Sequence, residues 1–174
     1  MKLLLKKNDF RLYNDAICLD FKWFDLEINN PAERISFSNF FEELYHHEAW
    51  VVGRMIQLNP FFAFYHKAHM TEKHFESIEA TNIIEHYINF MEQVKASNYW
   101  FESISLEETI THFHQEITQF VDASTMAFYF TPSFHTKRTL TTSAMLPFIY
   151  GFDYLYSIIL LKQDQALLFN CFYD

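Results

Sequence analysis

Glycine is nearly absent from this chain: there are 2 in 174 residues, with 4 prolines and 2 cysteines. With so few residues that take a positive φ at low cost, an architecture of many tight hairpins, a glycine-rich phosphate loop and a Rossmann fingerprint are all expected to be excluded. Cys18 and Cys171 lie near opposite ends, so they form neither a zinc knuckle nor a Cys-x-x-Cys pair and read as buried thiols. The longest apolar tract, residues 154–161, falls well short of the roughly 20 residues of a membrane span. The opening Met-Lys-Leu-Leu-Leu-Lys-Lys is too short for a signal peptide and meets Asn8 and Asp9 without a small-residue cleavage site. A cytoplasmic protein without membrane contact is expected.

What is present is apolar and aromatic. Hydrophobic residues make up 50% of the chain and aromatics 20%, including 21 Phe and 10 Tyr, against 20% charged. That much apolar surface offsets ordering entropy and excludes intrinsic disorder, and the length suits a single domain over residues 1–174. The net charge of -9 is unevenly placed. Residues 72–122 hold 10 acidic groups against Lys73 and Lys95 alone, so this stretch supplies -8 of the total. A surface of that sign repels nucleic acid and anionic lipid and steers a basic partner.

Apolar and polar residues alternate from Ala16 to Trp23, the period of a strand with Cys18, Asp20 and Lys22 on a wet face. Phe24, Leu26 and Ile28 continue on the opposite parity, which predicts a bulge near Trp23. Ser38 fits the N-cap of a helix reaching Leu58, before Asn59-Pro60. A second helix fits residues 72–95, and a third starts at the capping box Ser105/Glu108 and carries Leu106, Ile110, Phe113, Ile117 and Phe120 inward. Met126 to Thr131 reads as a short edge strand, and residues 147–161 are buried in either conformation. Together with a last strand at 167–173, this predicts an α+β domain. It should be helix-dominant, with three long amphipathic helices and a small sheet from the N- and C-terminal segments.

The nine histidines raise the question of a metal. Glu43-x-x-His46 has the spacing of a di-iron helix, but the second copy such a centre needs is missing. Glu108, His112 and Glu116 are successive i, i+4 neighbours and read as a solvated ladder. Glu48 falls on the inward stripe of the first helix, where a carboxylate needs a partner. The aromatic stretch Phe61 to Tyr65, with His66 and His69, reads as a hydrophobic corner, and His135, Lys137 and Arg138 as a solvated loop. No G-x-S-x-G elbow is present and neither cysteine is activated. No catalytic residue, metal or cofactor is therefore expected. The competing reading is a helical metal-dependent enzyme using Glu43, His46 and Glu48 with the face of Glu108, His112 and Glu116. A third is a nucleic-acid mimic.

Small size, an acidic helical surface and abundant aromatics resemble the immunity proteins of bacterial toxin systems. The resemblance is one of class, carried by this profile and by no motif. It implies that carboxylates cover the working surface of a basic toxin domain, with aromatic anchors at the centre. The residues expected to receive that partner are Glu72, Glu76, Glu79, Glu102, Glu107, Glu108 and Glu116.

Overall fold

The structure, a computed structural model, describes residues 1–13, 17–29, 34–47, 72, 75–97, 106–130 and 154–173. Its framework is a six-stranded, wholly antiparallel sheet. The strands are β1 (Lys2–Tyr13), β2 (Ile17–Glu27), β3 (Phe75–Ile78), β4 (Met126–Phe130), β5 (Tyr154–Leu161) and β6 (Gln165–Tyr173), in the spatial order β1-β2-β6-β5-β4-β3. The helices are α1 (Phe37–His46), α2 (Ile83–Ser97), preceded by a 3₁₀ turn over Ala80–Asn82, and α3 (Leu106–Phe120). Among the described residues, none of these is long and apolar enough to cross a membrane.

This corrects the expected helix-dominant domain with a small sheet: among the described residues strands account for 45% and helices for 39%, and the three helices are short. The physical reason is that the sheet is covered on both sides. Phe40, Phe41 and Leu44 of α1 pack on Leu3, Phe24, Leu26, Ile159, Leu161 and Leu168. On the other face Ile83, Tyr87, Met91, Phe113, Ile117 and Phe120 of α2 and α3 pack on Ile17, Leu19, Phe21, Ile158, Leu160 and Phe169. Strands buried on both faces read as continuous apolar runs and lose their period of two.

Particular misreadings follow from that. Phe75 and Ile78 are three apart and look helical, yet they sit on a strand, one in each core. Phe24 and Leu26 shift parity because they feed the α1 side: β2 pairs β6 in unbroken register from Ile17↔Tyr173 to Asp25↔Gln165, and the bulge lies in β1 at Lys6 instead. β4 is internal, between β3 and β5. Ser36, not Ser38, caps α1, its hydroxyl accepting from the Asn39 N–H at 3.2 Å. The region beyond His47 expected to continue that helix lies outside the described residues, as does Ser105.

Glycine scarcity does not prevent this sheet. The β5–β6 hairpin turns through Gln163 and Asp164, closed by Lys162 N–H donating to the Gln165 carbonyl at 2.8 Å. Asp122 shapes the exit from α3 as an Asx-type turn, its Oδ1 accepting from the Ser124 N–H at 2.8 Å.

Candidate functional site

Three groups of polar residues stand out, and only the first was legible as a set. The exposed carboxylates of Glu72, Glu76, Glu79, Glu107 and Glu108 are joined by Glu85 and Glu92 of α2. Glu107 and Glu108 occupy the first turn of α3 and Glu85 that of α2, where a negative charge also favours the helix dipole. Two of the expected contact residues are already engaged. Tyr129 on the neighbouring strand donates to Glu76 Oε2 at 2.8 Å, and Lys7 on β1 pairs with Glu116 at 3.3 Å. No ion pair reaches Glu72, Glu79 or Glu107 among the described residues. Glu102 lies outside them, as do Glu48, Phe61 to Tyr65, His66, His69, His135, Lys137 and Arg138. Glu43 is exposed and, with Arg34, Asn39 and Glu42, borders a shallow cavity of about 120 Å³ on the α1 side; of the His46 side chain nothing is described.

The second group is a polar row on the α1-side face of β1, β2, β6 and β5. Asp20 and Asn170 are cross-strand partners, as are Asn170 and Ser157. Asp20, Lys22, Ser157 and Asn170 are all buried, with Asp20 0% and Lys22 3% exposed. The Lys22 ammonium donates directly to Asp20 Oδ2. Ser157 Oγ donates to Asn170 Oδ1 at 2.8 Å, and Asn170 Nδ2 reaches Asp20 Oδ2 at 3.5 Å. In the orientation that satisfies its neighbours, the Asn8 amide donates to Asp20 Oδ1 and to the Phe21 carbonyl, each at 3.1 Å. The face expected to be wet is thus dry at Asp20 and Lys22, both on β2, and Asp20 ties that strand to β1 through Asn8 and to β6 through Asn170. Cys18 lies on this face and Cys171 on the opposite one, facing α2, where burial pushes its thiol up to about 12. Both remain thiols.

The third group is built where α3 crosses the edge strand β1. Below its bulge, β1 alternates Lys7, Asp9, Arg11 and Tyr13 onto the face covered by α3. His112, expected on a solvated ladder with Glu108, is instead 6% exposed beneath α3, its ring tilted against Phe21 at 5.1 Å. Its Nδ1 lies 2.9 Å from the Tyr13 hydroxyl and its Nε2 3.4 Å from Asp9 Oδ2. Among the described residues Nε2 is buried without a hydrogen bond. Asp9, His112 and Glu116 each offer a ligand atom within 4.8 Å of the others. Sequence reasoning found His112 and Glu116 but paired them with Glu108, because Asp9 is brought in from a strand 103 residues away by tertiary packing.

Burial lowers the affinity of His112 for a proton, and the Arg11 guanidinium adds to this, while Asp9 and Glu116 oppose it only in part. Burial alone lowers that of His86, whose Nδ1 is 2.6 Å from the Tyr156 hydroxyl. Asp9 is raised by burial, but the Arg11 hydrogen bonds and charge and His112 together bring it below the usual carboxylate range.

No family model, curated protein or solved structure matches this chain.

A pH dependence follows from the two histidines. The unfolded state takes up protons at the ordinary value of 6.5, before the folded state does. Stability is therefore complete above that pH and declines as the pH falls below it. Chemical denaturation in the presence of a chelator should show the midpoint dropping on acidification. The drop should be shallower in His112→Gln, and an equal slope in both proteins removes His112 from this account.

Proposed function

We propose that the protein is a cytoplasmic binding protein whose acidic helical side receives a basic protein domain, in the manner of an immunity protein that covers a toxin. The observation that supports this reading is the charge of α2 and α3. The two helices carry five glutamates, and Lys95 is their only lysine or arginine. Ile83, Tyr87, Met91, Phe113, Ile117 and Phe120 are committed to the sheet beneath, and the exposed glutamates of these helices offer charge outward. Such a surface accelerates encounter with a cationic partner and disfavours phosphate backbones and anionic lipid. Two cysteines that remain thiols accord with a reducing compartment.

The test uses a partner recovered on the tagged chain from its native cells and then purified. Its association should slow steeply as ionic strength rises from about 0.01 to 0.15 M, where the screening length falls from roughly 30 to 8 Å. Reversing Glu79, Glu92 and Glu107 to lysine should slow association and leave dissociation less affected. Reversing Glu42 and Glu43 on α1, across the sheet, should not slow it. Association that ignores both salt and the first set of reversals overturns the proposal. Glu76 is left intact because it holds Tyr129 across β3 and β4.

A further inference from the structure

We propose that Asp9, His112 and Glu116 form a binding site for a divalent transition-metal ion of the zinc class at the seam of β1 and α3. The site stands independently of the acidic docking face.

The charge ladder along this seam runs Lys7, Glu116, His112, Asp9, Arg11. Simple ion pairing accounts for its ends, since Lys7 lies 3.3 Å from Glu116 and the Arg11 Nε 3.3 Å from Asp9. In the middle, the approach of His112 Nε2 to Asp9 Oδ2 at 3.4 Å is an ion pair only when the imidazole is protonated. His112 Nε2 is buried between two carboxylates and makes no hydrogen bond among the described residues. An unsatisfied buried nitrogen is costly, and protein structures rarely retain one without a use.

A cation supplies that use. One imidazole nitrogen and two carboxylate oxygens are ligands of the borderline hardness that zinc accepts, and water completes the fourth position. The two carboxylates balance the ion's charge, and the ring sits with its Nε2 against them. Tyr13 completes the arrangement on the far side of the ring. With Nδ1–H donating to the Tyr13 oxygen at 2.9 Å, the Nε2 lone pair is directed at the carboxylates. That tautomer is repulsive without a cation and favourable with one.

The competing cations are placed to leave. The Lys7 and Arg11 side chains are 53% and 55% exposed, whereas those of Asp9 and Glu116 are only 19% and 14% exposed. Lysine and arginine can swing into water while the ligands remain. The Asp9 oxygen already stands 3.4 Å from Nε2, and the remaining ligand separations, up to 4.8 Å, close by side-chain rotation of Glu116. Tyr13 is a positioning residue here, acting through His112.

The experiment is a titration of the chelator-treated full chain with zinc, followed by calorimetry, with cobalt absorption reporting the ligand geometry. The parent should bind a single ion at this seam and gain thermal stability from it. His112→Gln and Glu116→Gln should abolish that binding. Tyr13→Phe should weaken it about 10- to 100-fold, as loss of the partner that orients a ligating histidine does. Lys7→Gln with Arg11→Gln should strengthen it, because competing cations are removed, a gain that an adventitious surface site does not show. Should His112→Gln fail to fold, Glu116→Gln, at a partly exposed helix position, gives the same information. The proposal is overturned if neither the parent nor the Lys7→Gln, Arg11→Gln variant binds zinc. It is equally overturned if zinc binds unchanged after Glu116→Gln, since the ion then sits elsewhere on the chain.

Discussion

Replacing Lys22 with alanine should destabilise the protein by about 3–5 kcal/mol, because it leaves the Asp20 carboxylate buried without its cation. Asp20 is 0% and Lys22 3% exposed, so water cannot take the place of the lost partner. Asp20→Ala should cost a similar amount for two reasons. It strands the ammonium, and it removes the acceptor that serves the Asn8 amide and, at longer range, Asn170. The double variant should be less destabilised than the sum of the two, by a coupling of about 0.5–3 kcal/mol. It should not regain parental stability, since Asn170 still lacks its acceptor. Denaturant midpoints of the three variants check this. Lys22→Ala unfolding at the parental midpoint would mean that the pair is hydrated and that the row on β2 and β6 contributes nothing.

The second large effect is expected in the other core. Phe113 of α3 is 0% exposed, with its ring centroid 4.0 Å from Tyr87, 4.7 Å from Phe169 and 6.4 Å from Phe21. It therefore joins α3 to α2, β6 and β2 at once. Phe113→Ala should cost about 3–5 kcal/mol through lost burial and the cavity left behind, despite alanine's better helix propensity. Leu106→Ala, at a half-buried position on the same helix, should cost clearly less. Equal midpoints for Phe113→Ala and the parent would place the ring outside the core.

Local pattern determined those elements whose environment is one-sided. α3 forms over residues 106–120 as its 3.6-residue period requires, with Phe113, Ile117 and Phe120 buried and Leu106 and Ile110 packed at the margin, because one stripe meets the sheet and the rest meets water. A strand at 126–130, another near the C-terminus and participation of both chain ends in the sheet were readable on different grounds, as apolar runs bounded by turn residues, although β4 and β6 face both cores. The acidic excess of residues 72–122 is likewise a property of composition, and its exposure on α2 and α3 follows from the apolar stripes that turn inward.

Tertiary structure decided the rest. Where a segment has a core on each side, alternation no longer separates inside from outside. Residues 75–78 therefore looked helical, β2 seemed to need a bulge, and β5 could not be told from a helix. Burial of Asp20 and Lys22 depends on both faces of the sheet being covered, which no local window records. The set Asp9, Tyr13, His112 and Glu116 exists only because α3 lies across β1. Helical spacing pairs His112 with Glu108, whereas the packed chain turns the ring inward to Tyr13 and Asp9, since a buried imidazole finds its partners in space and not at i+4.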